Sequence, residues 1–87
     1  MSDKVIYSSI ETMFNAVNIC ISSGRFMQTF ESLDLIEDFL NEISPKLERT
    51  KINDKIKISI NYIRHQNEYI PEEINNRLNE FIKWKSI

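Results

Sequence analysis

Residues 50–70 read TKINDKIKISINYIRHQNEYI, and this stretch carries two apolar stripes at helical spacing. At about 100° per residue, four isoleucines fall within about 40° of one another and a fifth lies beside them: Ile52, Ile56, Ile63, Ile70 and Ile60. A second stripe, at spacings of four, three and four residues, consists of Ile58, Tyr62, His65 and Tyr69. A surface helix needs only one apolar stripe. The second therefore predicts either contact with another helix or an interface with a partner.

The composition is that of a small folded protein. The chain has 87 residues, of which 41% are hydrophobic and 28% are charged, so we expect a single domain over residues 1–87. The chain has only one Gly and two Pro, the residues that most often mark turns, and this favours a few long helices over many short strands. No strand-like alternation of apolar and polar residues interrupts the helical spacing.

Turn residues divide the chain into helices. Gly24 ends the first, because Gly enters the left-handed conformation of a helix C-terminus without steric cost. Pro45 ends the second, and Pro71 stands at the first position of the fourth. The sequence thus predicts an all-α fold, a compact antiparallel bundle of about four helices at residues 3–23, 27–43, 51–70 and 71–85.

Apolar spacing predicts the buried face of the other three helices. The first helix has a stripe of Ile6, Ile10, Met13, Val17 and Cys20, widened by Phe14, Ala16 and Ile21. The second has Leu33, Ile36, Leu40 and Ile43, broadened by Leu35 and Phe39. The fourth has Ile74, Leu78, Phe81 and Ile82, with Trp84 at its edge. Ile19 points away from this core and is a candidate exposed anchor.

The segment 16–39 resembles one tetratricopeptide repeat. Gly24, Arg25 and Phe26 stand where that family often has a Gly, a polar residue and an aromatic residue between its paired helices. The resemblance covers about a third of the chain, lacks the small residues usual in the first helix and has no second copy. It implies a helical hairpin.

Charge is unevenly distributed, although the net charge is only −2. Residues 28–48 carry a net charge of −5, and residues 49–65 a net charge of +4. Three interpretations remain open: helices two and three lie antiparallel and pair these charges, the acidic face binds a basic partner, or the basic third helix binds phosphates. The basic residues do not share one face of that helix, which makes nucleic acid the weaker expectation.

Residues for catalysis or metal binding are few. His65 is the only histidine, so a two-histidine metal site is impossible, and Cys20 is the only cysteine and fits a small core residue. No Gly-rich phosphate loop or GxSxG motif is present. We therefore expect no metal, no cofactor and no enzymatic activity. An enzyme built on Cys20 and His65 would lose activity on Cys20→Ser.

The remaining expectation is a protein-binding regulator or inhibitor. Two surfaces are candidates for the partner: an aromatic edge of Tyr62, His65, Tyr69 and Trp84, which also suits a homodimer, and an acidic face of Asp34, Asp38 and Glu42. The alternative is a small nucleic-acid-binding protein that uses the basic third helix.

Location and origin are inferred from composition. The lone Cys20, the absence of an apolar run of about 20 residues and the absence of a secretory signal pattern predict a cytoplasmic protein. Ile, Lys and Asn supply 31 of the 87 residues, and their AT-rich codons suggest a phage or bacterial accessory protein.

Overall fold

The computed structural model describes residues 3–43 and 49–83 and confirms the all-α fold. In chain order, the helices are α1 (Asp3–Ser22), α2 (Phe26–Ile43), α3 (Arg49–Gln66) and α4 (Glu72–Lys83). Within the described residues, each predicted boundary agrees to within two residues, except the end of α3. The predictions for Pro45, Trp84 and the last residues of the fourth helix lie outside these ranges.

One face of each helix is buried in a common core. The buried apolar side chains are Ile6, Ile10, Phe14, Val17 and Ile21 of α1, Leu33, Ile36, Leu40 and Ile43 of α2, Ile52, Ile56, Ile60 and Ile63 of α3, and Ile74, Leu78 and Phe81 of α4. The predicted core stripes of α2, α3 and α4 are confirmed, apart from half-buried Phe39, Ile70 and Ile82 and from exposed Leu35. Phe14 and Phe81 join α1 to α4 through the core, with ring centroids 5.6 Å apart and nearly perpendicular planes.

The buried face of α1 is rotated from the predicted one. Phe14 and Ile21, predicted at its margin, are buried, whereas Met13 and Cys20 are only half-buried and Ala16 is exposed. Phe14 follows Ile10 by four residues and therefore lies directly on the stripe that faces the core. The helix turns this larger ring inward and leaves the smaller side chains on the flank.

The four helices form two stacked hairpins. α1 packs against α2 and α3, and α4 packs against α3 and α2, so α2 and α3 lie across the core from each other. In the described part of the chain, the helix contacts therefore speak against the interpretation in which helices two and three pair their charges. Among the described residues, ion pairs between helices join Lys55 of α3 to Glu11 of α1 at 3.1 Å, and Arg77 of α4 to Asp34 of α2 at 2.9 Å.

The first turn follows from Gly24, which has φ of +71°. The Gly24 N–H donates to the carbonyl of Ile21 at 3.0 Å, and the Arg25 N–H donates to that of Cys20 at 2.9 Å. These two bonds satisfy carbonyls that the end of α1 leaves without partners, in the pattern of a Schellman motif. The expected helical hairpin is thus present.

α3 ends at Gln66, so the predicted extension to Ile70 is wrong. The side chain of Asn67 ends the helix, because its Nδ2 donates to the carbonyl of Ile63 at 2.8 Å. Ile70 packs against the core from the connecting segment. Pro71 precedes α4 instead of occupying its first position, and its carbonyl accepts from the Asn75 N–H at 2.9 Å.

Candidate functional site

A groove of about 500 Å³ lies between α1 and α3. Its lining includes the buried Phe14 and Ile63, and Ile58 and Tyr62 form an apolar part of its α3 side. Ser8, Thr12 and Asn15 make the α1 side polar, and the Glu11–Lys55 pair also borders the space. We call this the α1–α3 groove. It places the second stripe of α3 at the surface instead of against another helix.

The structure divides the predicted aromatic edge. Ile58 and Tyr62 are 64% and 52% exposed, and His65 is also exposed on the same side of α3. Tyr69 is 73% exposed, as predicted, but it lies beyond the end of α3 and does not continue the stripe. Trp84 lies outside the described residues. The part of the edge that remains together is therefore Ile58, Tyr62 and His65.

The structure also divides the predicted acidic face. Asp34 accepts a hydrogen bond from Arg77 of α4, which holds α2 to α4. Asp38 and Glu42 are exposed, and neither has an ion pair among the described residues. Asp34 thus serves the fold, while Asp38 and Glu42 remain available to a partner.

Leu35 is the surface residue that sequence reasoning missed. It is predicted to broaden the core face of α2, but it is 65% exposed. Since consecutive residues are about 100° apart on a helix, Leu35 points away when its neighbour Ile36 is buried. The missed signal is a stripe at spacings of four, three and four residues: Glu31, Leu35, Asp38 and Glu42. We call it the acidic stripe.

A second groove, of about 610 Å³, lies between α1 and α2 beside this stripe. Its apolar lining comes from Val5 and Met13 of α1 and Phe39 of α2, and Lys4 is its one cation. Phe39 lies one helical turn from Leu35 and three residues before Glu42, so the groove adjoins the acidic stripe. We call it the α1–α2 groove.

The basic residues of α3 are partly engaged within the fold. Lys55 pairs with Glu11. Arg64 donates to Asn75 Oδ1 from Nη2 at 2.9 Å and from Nε at 3.1 Å, and from Nη2 to Asn79 Oδ1 at 2.6 Å. Those two cations stabilise contacts with α1 and α4 and are not arranged to grip a phosphate backbone.

The candidate catalytic pair is not brought together. Asn18 of α1 accepts a hydrogen bond from Asn67 at the end of α3, which identifies the side of α1 that faces α3. Cys20 is two residues further on, so it lies about 200° around the helix and away from α3. His65 is on α3. A Cys–His nucleophile needs the two groups in hydrogen-bond reach, and this arrangement separates them.

The described residues contain no group of three or more His, Cys, Asp or Glu side chains placed to hold a metal ion. Among their helices, none combines the length and apolar character needed to cross a membrane. The chain matches no protein-family model, and no curated protein or solved structure shows significant similarity to it.

Proposed function

We propose that this chain is a non-enzymatic protein that binds another protein and thereby regulates or inhibits it. The observation that supports the proposal is the position of its exposed apolar side chains. Val5 lines the α1–α2 groove, Leu35 lies one helical turn from its lining residue Phe39, and Ile58 and Tyr62 line the α1–α3 groove. Apolar groups gathered beside a groove favour association, whereas single scattered ones are ordinary.

The fold supports binding without catalysis. The core is filled by apolar side chains from all four helices, so the exposed apolar residues are not needed to complete it. The separation of Cys20 from His65 argues against a Cys–His nucleophile. A rigid helical surface with apolar anchors and a polar rim is the usual make-up of a protein interface.

The proposed setting is the cytoplasm of a bacterium, where the chain is an accessory protein of phage or bacterial origin. The composition rich in Ile, Lys and Asn supports the origin, and the unpaired Cys20 supports a reducing compartment. A second copy of the chain, seated along Ile58 and Tyr62, is the alternative protein partner. Nucleic acid binding through the basic third helix has less support, because two of its cations, Lys55 and Arg64, are engaged with side chains of α1 and α4.

A quantitative pull-down from the nuclease-treated source cell tests this proposal. The baits are the wild type, Leu35→Ser and Ile58→Ser, and circular dichroism verifies that each bait is folded. We expect the recovered amount of at least one protein to fall about tenfold or more with one variant and not with the other. Recovery of the same proteins by all three baits would contradict the proposal, as would capture that depends wholly on nucleic acid.

A further inference from the structure

The acidic stripe of α2 adjoins the α1–α2 groove at Phe39, which lines the groove and lies one helical turn from Leu35. Val5, Met13 and Phe39 supply an apolar floor and wall. Leu35 extends that apolar area by one turn along α2, about 6 Å. Exposed carboxylates stand on either side of Leu35 along the stripe, with Glu31 on one side and Asp38 and Glu42 on the other.

The charge of this surface is not compensated from within the described residues. α2 carries five carboxylates and no Lys or Arg. Only Asp34 among them has an ion pair in the described part of the chain, with Arg77. Lys4 is the one cation that lines the groove. Carboxylates along the α2 side of an apolar groove favour a partner with apolar anchors and a positive flank on that side.

We infer that this surface binds a basic amphipathic helix of a partner protein, and this inference rests on the proposed function. The acidic stripe spans residues 31–42, about 16 Å along the helix axis, and the groove-lining part of α1 spans residues 4–13, about 14 Å. A partner helix of about three turns matches this length. Its apolar side chains at helical spacing would lie on Phe39, Leu35 and Val5, and its Lys or Arg side chains would pair with Asp38 and Glu42.

The alternative occupants fit this surface less well. A nucleic acid would be repelled by its carboxylates. A second copy of the chain in a two-fold contact would place the acidic stripe against itself. In any other arrangement, the second copy would need a basic amphipathic face. The described basic residues of α3 do not make such a face, because Lys55 and Arg64 are engaged with Glu11, Asn75 and Asn79, and the exposed Lys51 and Lys57 lie about 120° apart around the helix.

The test uses helix-stabilised synthetic peptides of about 12 residues and the full chain. The first peptide has Leu on one face and Lys on the flanks, and the control peptide has the same composition in scrambled order. Isothermal titration calorimetry measures affinity, and amide chemical shifts identify the surface. We expect the patterned peptide to bind about tenfold or more tightly than the scrambled one, with shifts at Val5, Met13 and Phe39.

Three variants of the protein locate the contact. Leu35→Ser should weaken binding about tenfold, and the triple variant Glu31→Gln, Asp38→Asn and Glu42→Gln should weaken it comparably and reduce its salt dependence. Asn61→Ala, at an exposed position of α3 that lines neither groove, should bind like wild type. The inference is overturned if the patterned peptide does not bind, if both peptides bind equally, or if the shifts map to the α1–α3 groove. In that case, the proposed function would still stand if the Ile58→Ser bait fails to recover a protein that the wild type recovers in the pull-down.

Discussion

Asn67 donates a hydrogen bond from Nδ2 to Oδ1 of Asn18 at 2.8 Å, which joins the end of α3 to the last turns of α1. The same Asn67 caps the carbonyl of Ile63, and its Oδ1 accepts from the Ser22 hydroxyl at 2.8 Å. About two turns before Asn18 in α1, Glu11 pairs with Lys55 of α3. The Glu11–Lys55 and Asn18–Asn67 contacts follow the same order along both helices, so α1 and α3 are neighbours that run in the same direction.

Asn67→Ala should lower the free energy of unfolding by about 1–2 kcal/mol, because it removes three hydrogen bonds from a partly buried junction. Asn61→Ala is the matched control, since Asn61 is exposed on α3 and changes there cost within about 0.5 kcal/mol. Urea denaturation of both variants provides the comparison. Equal stability of the two variants would show that the junction does not hold α1 against α3.

Buried and exposed residues of the same type should respond differently to truncation. Leu40→Ala and Ile56→Ala should each cost about 2–5 kcal/mol, because both side chains are fully buried. Leu35→Ala and Ile58→Ala should cost less than about 0.5 kcal/mol, because both side chains are mostly exposed. Chemical denaturation of the four variants tests the assignment. Losses below 0.5 kcal/mol at Leu40 and Ile56 would remove them from the core.

Gly24→Ala should destabilise the protein by about 1 kcal/mol, since a side chain disfavours the left-handed conformation at φ of +71°. Crowding does not contribute, because a Cβ atom at Gly24 would meet nothing within 4 Å. Gly24→Asn should cost less, because Asn tolerates this conformation better than Ala does. Thermal unfolding of both variants measures the difference. An Ala variant as stable as wild type would be inconsistent with the observed turn.

The local pattern of the chain predicts most of the fold. The spacing of Leu33, Ile36 and Leu40 identifies the buried face of α2 without knowledge of its neighbours, and Gly24 marks the first turn through its own conformational freedom. The end of α3 escapes such reasoning, because it depends on Asn67 meeting Asn18, 49 residues earlier in the chain. Two isolated amides carry no periodic signal that would predict this contact.

The candidate surface was only partly predictable for the same reason. The exposure of Tyr62 follows from a second stripe that α3 does not need for its core contact. The exposure of Leu35 depends on which helices flank α2, and the stacking of two hairpins leaves Leu35 outside. Asp34 and Asp38 look equivalent in the sequence, and only the position of Arg77 on α4 distinguishes them.

Neutralising the acidic residues of α2 should separate folding from binding. Asp38→Asn with Glu42→Gln should change the free energy of unfolding by no more than about 0.5 kcal/mol per site, because both residues are exposed. Asp34→Asn removes the pair with Arg77 and should cost up to about 1 kcal/mol. Denaturation gives these values, and titration with a captured partner gives affinity. Unchanged affinity in the double variant would exclude the acidic stripe from the interface.

Site-specific photo-crosslinking in the source cell tests the central claim, that the chain acts by binding another protein through a folded helical surface. A photo-reactive amino acid replaces Leu35 in the acidic stripe, Ile58 in the α1–α3 groove or Asn61 as an exposed control position on α3. We predict a discrete adduct with another protein from position 35 and none from position 61. Two results would contradict the account. One is that positions 35 and 61 give the same adducts, and the other is that neither position 35 nor position 58 gives any protein adduct.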